Sequence, residues 1–172
     1  NYNPDVVYFD DTALPLWPIS NVGLEIAAHY YNKSIKDNKG KLEAVITGKI
    51  LDEQQRKCMI WDIERGQSNR IEPEPWQTCT CIGSWHYDRR VYDRGHYKSA
   101  KTVIHMLVDV VSKNGNLLLS VPMRGDGSVD HKARATVEGI ANWMQFNSEA
   151  IIGTRPWHTF GEGPAIAHAP EL

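Results

Sequence analysis

Asn3-Pro4-Asp5-Val6-Val7-Tyr8-Phe9-Asp10-Asp11 is the stretch on which the fold turns. Four consecutive strand formers, Val6 to Phe9, end abruptly in two adjacent carboxylates. A run that is apolar on both faces predicts a strand covered on both sides, as in a parallel sheet flanked by helices. Barrels built from such sheets keep their chemistry at the carboxyl ends of the strands, which is where Asp10 and Asp11 stand. For an arbitrary strand-end Asp a turn cap with a solvated neighbour is the commoner role. Here Trp17, flanked by Pro15 and Pro18, follows at once and supplies an apolar wall.

Outward from that strand, the pattern alternates. Ser20 to about Ile35 carries Leu24, Ala27, Ala28, Tyr31 and Ile35 at helical spacing, with Ser20 or Asn21 as its cap. Leu42 to Thr47 and Met59 to Trp61 read as strands, 67–75 as a long Pro-bearing loop, and Thr78 to Ile82 as another strand. Tyr97 to Lys113 is the clearest helix, with Ala100, Val103, Ile104, Leu107, Val108 and Val111 in one stripe and Asn114-Gly115 as a left-handed stop. Asn116 to Val121 reads as a buried strand, Pro122 to Gly127 as a turn, and Asp130 as the cap of a helix through Met144. Ala150 to Trp157 reads as a last strand-like piece. Strands alternating with helices, with loops lengthening after the strands, predict parallel β/α units. A complete barrel of eight units typically takes about 250 residues, so 172 residues are expected to form either a smaller open sheet or part of a barrel.

The bulk properties exclude several roles. A net charge of -2 argues against a nucleic-acid footprint. No apolar run approaches the roughly 20 residues of a membrane span. No signal peptide is visible at the start. Cys58, Cys79 and Cys81 are an odd count; Cys79 and Cys81 alternate with Thr78 and Thr80 as on one strand face, so buried thiols are expected there and not a zinc site.

Trp61-Asp62-Ile63-Glu64-Arg65-Gly66 repeats the pattern of an apolar strand end followed by carboxylates. Glu64 beside Arg65 is, on general grounds, more often a surface pair than a catalytic acid. Trp61 and Trp76 nearby could supply the burial that raises a carboxyl pKa. Two carboxylates on strand ends are the minimal equipment for glycoside hydrolysis. Of six tryptophans, Trp17, Trp61, Trp76 and Trp85 fall in post-strand segments, where aromatic faces suit a sugar ring. His86, His158 and Glu162 are weaker candidates for lining the same place.

Three long segments resemble one family. Trp76-Gln77-Thr78-Cys79-Thr80-Cys81-Ile82-Gly83-Ser84-Trp85 is similar to the W-[EQ]-T-C-x-x-I-G-x-[FW] segment of the α-L-fucosidases of glycoside hydrolase family 29. Tyr97-Lys98-Ser99-Ala100 with the run Ile104 to Leu119 resembles that family's most recognisable stretch. Asn147-Ser148-Glu149-Ala150-Ile151-Ile152-Gly153-Thr154-Arg155-Pro156-Trp157 resembles its closing N-G-E-A-I-Y-G-T-R-P-W. The resemblance covers nearly the whole chain and is weakest from about Lys33 to Met59.

The resemblance implies an α/β fold, part of a (β/α)8 TIM-type barrel. Residues 1–160 would form the carboxyl-terminal portion of the barrel and 161–172 a tail or linker towards a further domain. It implies an exo-acting hydrolase releasing terminal L-fucose from fucosylated oligosaccharides or glycoconjugates, with retention through a covalent fucosyl-enzyme. The family's nucleophile maps to Asp10 and its acid/base glutamate, by spacing, to Glu64; Glu72 and Glu74, in the Pro-bearing loop, match less well. Trp85 would pack on the fucose methyl group and Trp76 would line the same pocket. Retention sets the two carboxyls about 5–5.5 Å apart. No metal or other cofactor and no nucleic-acid or membrane partner is implied, and a periplasmic, secreted or lysosome-like location is expected. Several positions depart from the family: Asp11 where many members have Gly, Gln77 where many have Glu, and Ser120 to Gly127 where N-x-G-P-x-x-D-G is usual. The family's substrate-binding Arg has only Lys49 as a stand-in, and its fucose-binding histidines precede the nucleophile. The 172 residues alone are therefore expected to be inactive; a non-catalytic glycan-binding module and a structural α/β domain are the alternatives.

Overall fold

The computed structural model describes residues 2–10 and 16–162. Asp11, expected beside Asp10, and the 163–172 part of the expected tail lie outside the described residues. Five strands are hydrogen-bonded in chain order, β1 (Val6–Phe9), β2 (Val45–Gly48), β3 (Ile60–Glu64), β4 (Trp76–Cys81) and β5 (Gly115–Ser120). That succession is a partial TIM-type (β/α)8 barrel, as the alternating pattern predicts. The chain folds as two compact units, Asn1–Ile63 with Glu74–Trp76, and Glu64–Pro73 with Gln77–Leu172.

In the first unit β1 pairs in parallel with β2, Val7 opposite Ile46 and Phe9 opposite Gly48, and β2 pairs in parallel with β3, Gly48 opposite Trp61. Side chains alternate along a strand, so this register sorts them onto two faces. Val7, Phe9, Ile46 and Trp61 share a core with Ala27, Tyr30 and Tyr31 of α1 (Val22–Asp37), Leu51 and Met59. Tyr8 and Thr47 lie on the other face, opposite one another. Val6 is nevertheless 55% exposed. Among the described residues β1 pairs with β2 alone, which is why this strand is less covered than its apolar sequence suggests.

Helix α1 departs from the expected stripe. Its inward positions are Gly23, Ala27, Tyr30 and Tyr31, while Leu24, Ala28 and Ile35 are exposed. Tyrosine hydroxyls decide the rotation: Tyr30 donates to the Pro4 carbonyl at 2.7 Å and Tyr31 to the Cys58 carbonyl at 2.6 Å. Ser20 Oγ accepts from the Val22 amide at 3.2 Å, so the expected capping side chain is Ser20 and not Asn21. From β2 to β3 the chain crosses by a single 3-10 turn, Gln55–Lys57, where a helix would complete the β/α alternation. Asp52 organises that turn, its Oδ1 accepting from the Gln54 and Gln55 amides.

The second unit packs helix α3 (Ala100–Ser112) and helix α4 (His131–Asn147) with β5 around Ile82, Val103 and Ala133. Ser99 caps α3 through the Thr102 amide, and Asn114 takes the left-handed conformation after it (φ 71°), as its sequence predicts. A short helix α2 (Arg89–Arg94), capped by Asp88 and closed by Gly95 at φ 68°, was not legible as a separate element. Cys79 and Cys81 are buried thiols in β4, as the C-x-C alternation predicts. The expected final strand does not form: Ser148–Ala150 is a 3-10 turn continuing α4, and Gly153 turns the chain at φ 74°.

Two features generate stability predictions. A Cβ on Gly139 of α4 would lie 2.7 Å from the Ala100 Cβ of α3, closer than van der Waals contact permits. Gly139→Ala gains helix propensity of about 1 kcal/mol but overpacks the helix contact at a cost of about 1–3 kcal/mol. A lower denaturation midpoint is expected, measured by urea titration. Asp130, fully buried, accepts from the Lys132 and Ala133 amides at 2.9 and 3.0 Å and from the Tyr97 hydroxyl at 2.8 Å. Burial opposes its charge, but these donors outweigh burial and hold the carboxyl below its ordinary value. Its contribution is therefore complete above the unfolded value of about 3.9 and is lost as pH falls through the lower folded value. Asp130→Asn is expected to remove that part of the acid-side slope in unfolding free energy, read from denaturation midpoints between about pH 5 and pH 2.5.

Candidate functional site

The first unit places Asp10 directly after β1, beyond the Phe9–Gly48 pair. One residue further along β2 is Lys49, so the parallel register sets an acid and a cation side by side at the carboxyl end of both strands. Lys49 Nζ lies 2.5 Å from Asp10 Oδ1. The lysine side chain is 15% exposed and the aspartate 67%. An ion pair this open to water adds little to stability, about 1 kcal/mol or less. Its effect is geometric: it fixes one carboxylate oxygen and leaves the rest of the carboxylate facing outward.

Beneath these tips lies a buried polar layer. Tyr8, two residues before Asp10, donates its hydroxyl to Asp62 Oδ2 at 2.6 Å. Asp62 is 1% exposed. Thr47, opposite Tyr8 and Ile60 in the register, is also buried, and its Oγ1 has no hydrogen-bond partner among the described residues. Asp62 was legible only as one of the carboxylates of the Trp61–Glu64 segment, and its bond to Tyr8 was not legible at all. The two residues are 54 positions apart and only the register joins them.

Glu64 closes β3 two residues after Asp62, and strand alternation puts both on one face of that strand. Glu64 is exposed and heads a tightly fastened corner of the second unit. Arg65 turns the backbone at φ 52°, its amide donates to the Cys79 carbonyl at 2.9 Å, and the Gly66 carbonyl accepts from Thr78 Oγ1 at 2.7 Å. The Arg65 guanidinium then lies 3.7 Å from Cys81 Sγ and 4.8 Å from the centre of the Trp85 ring. Arg65, read from sequence only as the neighbour of Glu64 in a surface pair, braces the half-buried Trp85 by a cation–π contact.

The remaining candidates separate by surroundings. Glu72 is buried and its carboxylate is taken up by Ser68 Oγ at 2.5 Å and by Arg70, a structural role within the 67–75 loop. Glu74, His86, His158 and Glu162 are exposed. Trp76 begins β4 and is 1% exposed, so it packs as core, while Trp17 is 42% exposed in the segment after β1. Burial pushes the Cys58 thiol above its ordinary value, with Asp52 adding to the effect.

Asp10 and Lys49 at the carboxyl ends of two parallel strands, in a chain whose strands follow one another in sheet order, define a segment of a β/α barrel of the kind that keeps its site there. The model of the alpha-L-fucosidase family matches residues 1–149, and the chain belongs to that family. The tissue alpha-L-fucosidase of Bos taurus is 31% identical over 105 residues, 60% of this chain and 22% of that protein. The alpha-L-fucosidase of Dictyostelium discoideum is 33% identical over 90 residues, 51% of this chain and 19% of that protein. Among solved structures, an alpha-fucosidase of Thermotoga maritima in complex with fucose superposes with a TM-score of 0.69 at 28% identity, covering 92% of this chain and 33% of that one. The chain thus matches about a fifth of the length of these curated relatives and a third of that structure.

The Arg65 corner makes a testable statement. Arg65→Gly loses the Trp85 contact but suits a positive φ, whereas Arg65→Ala loses the contact and keeps the strain. The glycine variant is expected to be the more stable of the two by about 1 kcal/mol. Parallel urea titrations decide it.

Proposed function

We propose that the protein containing these residues hydrolyses terminal α-L-fucosyl linkages of glycans with retention of configuration. Asp10 attacks the anomeric carbon through a carboxylate oxygen; the bond to the leaving oxygen breaks, and that oxygen takes a proton from Glu64. Water then attacks the fucosyl-Asp10 ester, Glu64 takes the water's proton, and Asp10 leaves as carboxylate. Trp85, braced by Arg65, would pack on the fucose methyl group, and Trp76 would support the pocket wall from within the core. On this reading Lys49 orients the nucleophile. The observation that carries the reading is the placement of Asp10: it closes the first parallel strand with one oxygen held by Lys49, in a chain of this family.

The proposal concerns the whole gene product, since the relatives are several times longer than the matched region. The 172-residue chain by itself is expected to show no turnover. In the full-length product, Asp10→Asn is expected to lower kcat on an aryl α-L-fucoside by at least about a thousandfold. Glu64→Gln should lower kcat/KM strongly for poor leaving groups and far less for activated aryl fucosides, because only the former need a proton in the first step, which kcat/KM reports. Wild-type turnover in Asp10→Asn would exclude the assignment. Fucose binding without hydrolysis by the full-length protein would favour a glycan-binding module instead.

A further inference from the structure

The Tyr8–Asp62 hydrogen bond joins two strands that are not neighbours. β2 runs between β1 and β3, and strands two apart lie about 9.6 Å from each other. Tyrosine and aspartate side chains reaching toward each other close such a gap only over a small residue. On β2 the register sets Thr47 opposite Tyr8 and Ile60, and its next two steps bring Lys49 opposite Asp62, so the bond runs diagonally past Thr47. The layer is buried and costly. Asp62 is 1% exposed and Thr47 3%, with the Thr47 hydroxyl left unpartnered. A core built for stability alone would place apolar side chains here, because burying an unpaired hydroxyl costs free energy. A hydrogen bond to a buried carboxylate has a narrow range of lengths and angles, which apolar contacts lack. What this layer supplies is therefore a fixed distance between two backbones.

Both strands end in a proposed catalytic acid two residues later. Tyr8 precedes Asp10 by two, and Asp62 precedes Glu64 by two. We propose that Tyr8 and Asp62 are positioning residues: the hydrogen bond at 2.6 Å locks the strand that carries the nucleophile against the strand that carries the acid/base. This rests on the assignment of Asp10 and Glu64 above. Tyr8 reaches across and Asp62 receives it.

The test uses Tyr8→Phe, Asp62→Leu and Asp62→Asn in the full-length product, each assayed at a temperature where circular dichroism shows it folded. Asn keeps an oxygen able to accept from Tyr8, and Leu does not. Expected are a fall in kcat of about tenfold to a hundredfold for Tyr8→Phe and for Asp62→Leu, with KM little changed, and most of the rate retained in Asp62→Asn. The double variant Tyr8→Phe/Asp62→Leu should be no slower than the slower single variant, as expected for two ends of one interaction. A lowered melting temperature with wild-type kcat in Tyr8→Phe and Asp62→Leu would overturn the proposal and leave the pair a stability device. Additive losses in the double variant would overturn it as well. Asp10→Asn, assayed alongside, separates the two layers of argument. If it is inert while Tyr8→Phe is unaffected, the positioning role alone falls; if it is active, the acid assignment falls first.

Discussion

The parallel register of β1, β2 and β3 is the constraint from which the rest of the site follows. A one-residue slip in either pairing would exchange the two faces of a strand. Tyr8 and Asp10 would then turn toward α1, and Val7 and Phe9 would leave the core they share with Ile46 and Trp61. The apolar face thus specifies the polar one. Because burial of Val7, Phe9, Ile46 and Trp61 fixes the register, Lys49 arrives beside Asp10 without any contact having to select it. The weak, exposed ion pair at the strand ends is placed by the strong, buried packing beneath it.

The second unit uses a different device for the same end. There a single residue in a left-handed conformation, Arg65, ends β3 and spreads its anchoring over amide, guanidinium and neighbouring backbone. Backbone bonds from Arg65 to Cys79 and from Thr78 to Gly66 fasten the corner to β4, and the guanidinium holds Trp85. Glu64 stands at the head of that corner. Its position is set by covalent geometry on one side and by these bonds on the other.

What the sequence made legible were the features encoded locally. The strand ending in Asp10, the Asp130 cap and the Asn114 stop each lie within a few residues of their own signal, whereas the α3 stripe was only partly right, with Val110 buried and Val108 exposed. Family resemblance extended this to the roles expected of Asp10, Glu64 and Trp85. The inward face of α1 was misread because Leu24 and Ile35 look apolar, whereas the Tyr30 and Tyr31 hydroxyls choose partners in Pro4 and Cys58 that no local pattern announces. The final strand was misread because β-branched residues in 150–157 outweighed the turn that Gly153 makes. Tyr8–Asp62 and Arg65–Trp85 were invisible for the same reason: each joins residues that only register or a backbone turn brings together.

The account stands on Asp10 as the group that bonds to the sugar. Incubating the full-length product with a 2-fluoro-fucosyl fluoride, which forms the glycosyl-enzyme but hydrolyses it slowly, followed by peptide mapping, addresses this directly. A fluorofucosyl adduct on the peptide containing Asp10, absent in Asp10→Asn, is the predicted result. An adduct on a different carboxylate, or turnover of aryl fucosides with inversion and no adduct, would contradict it.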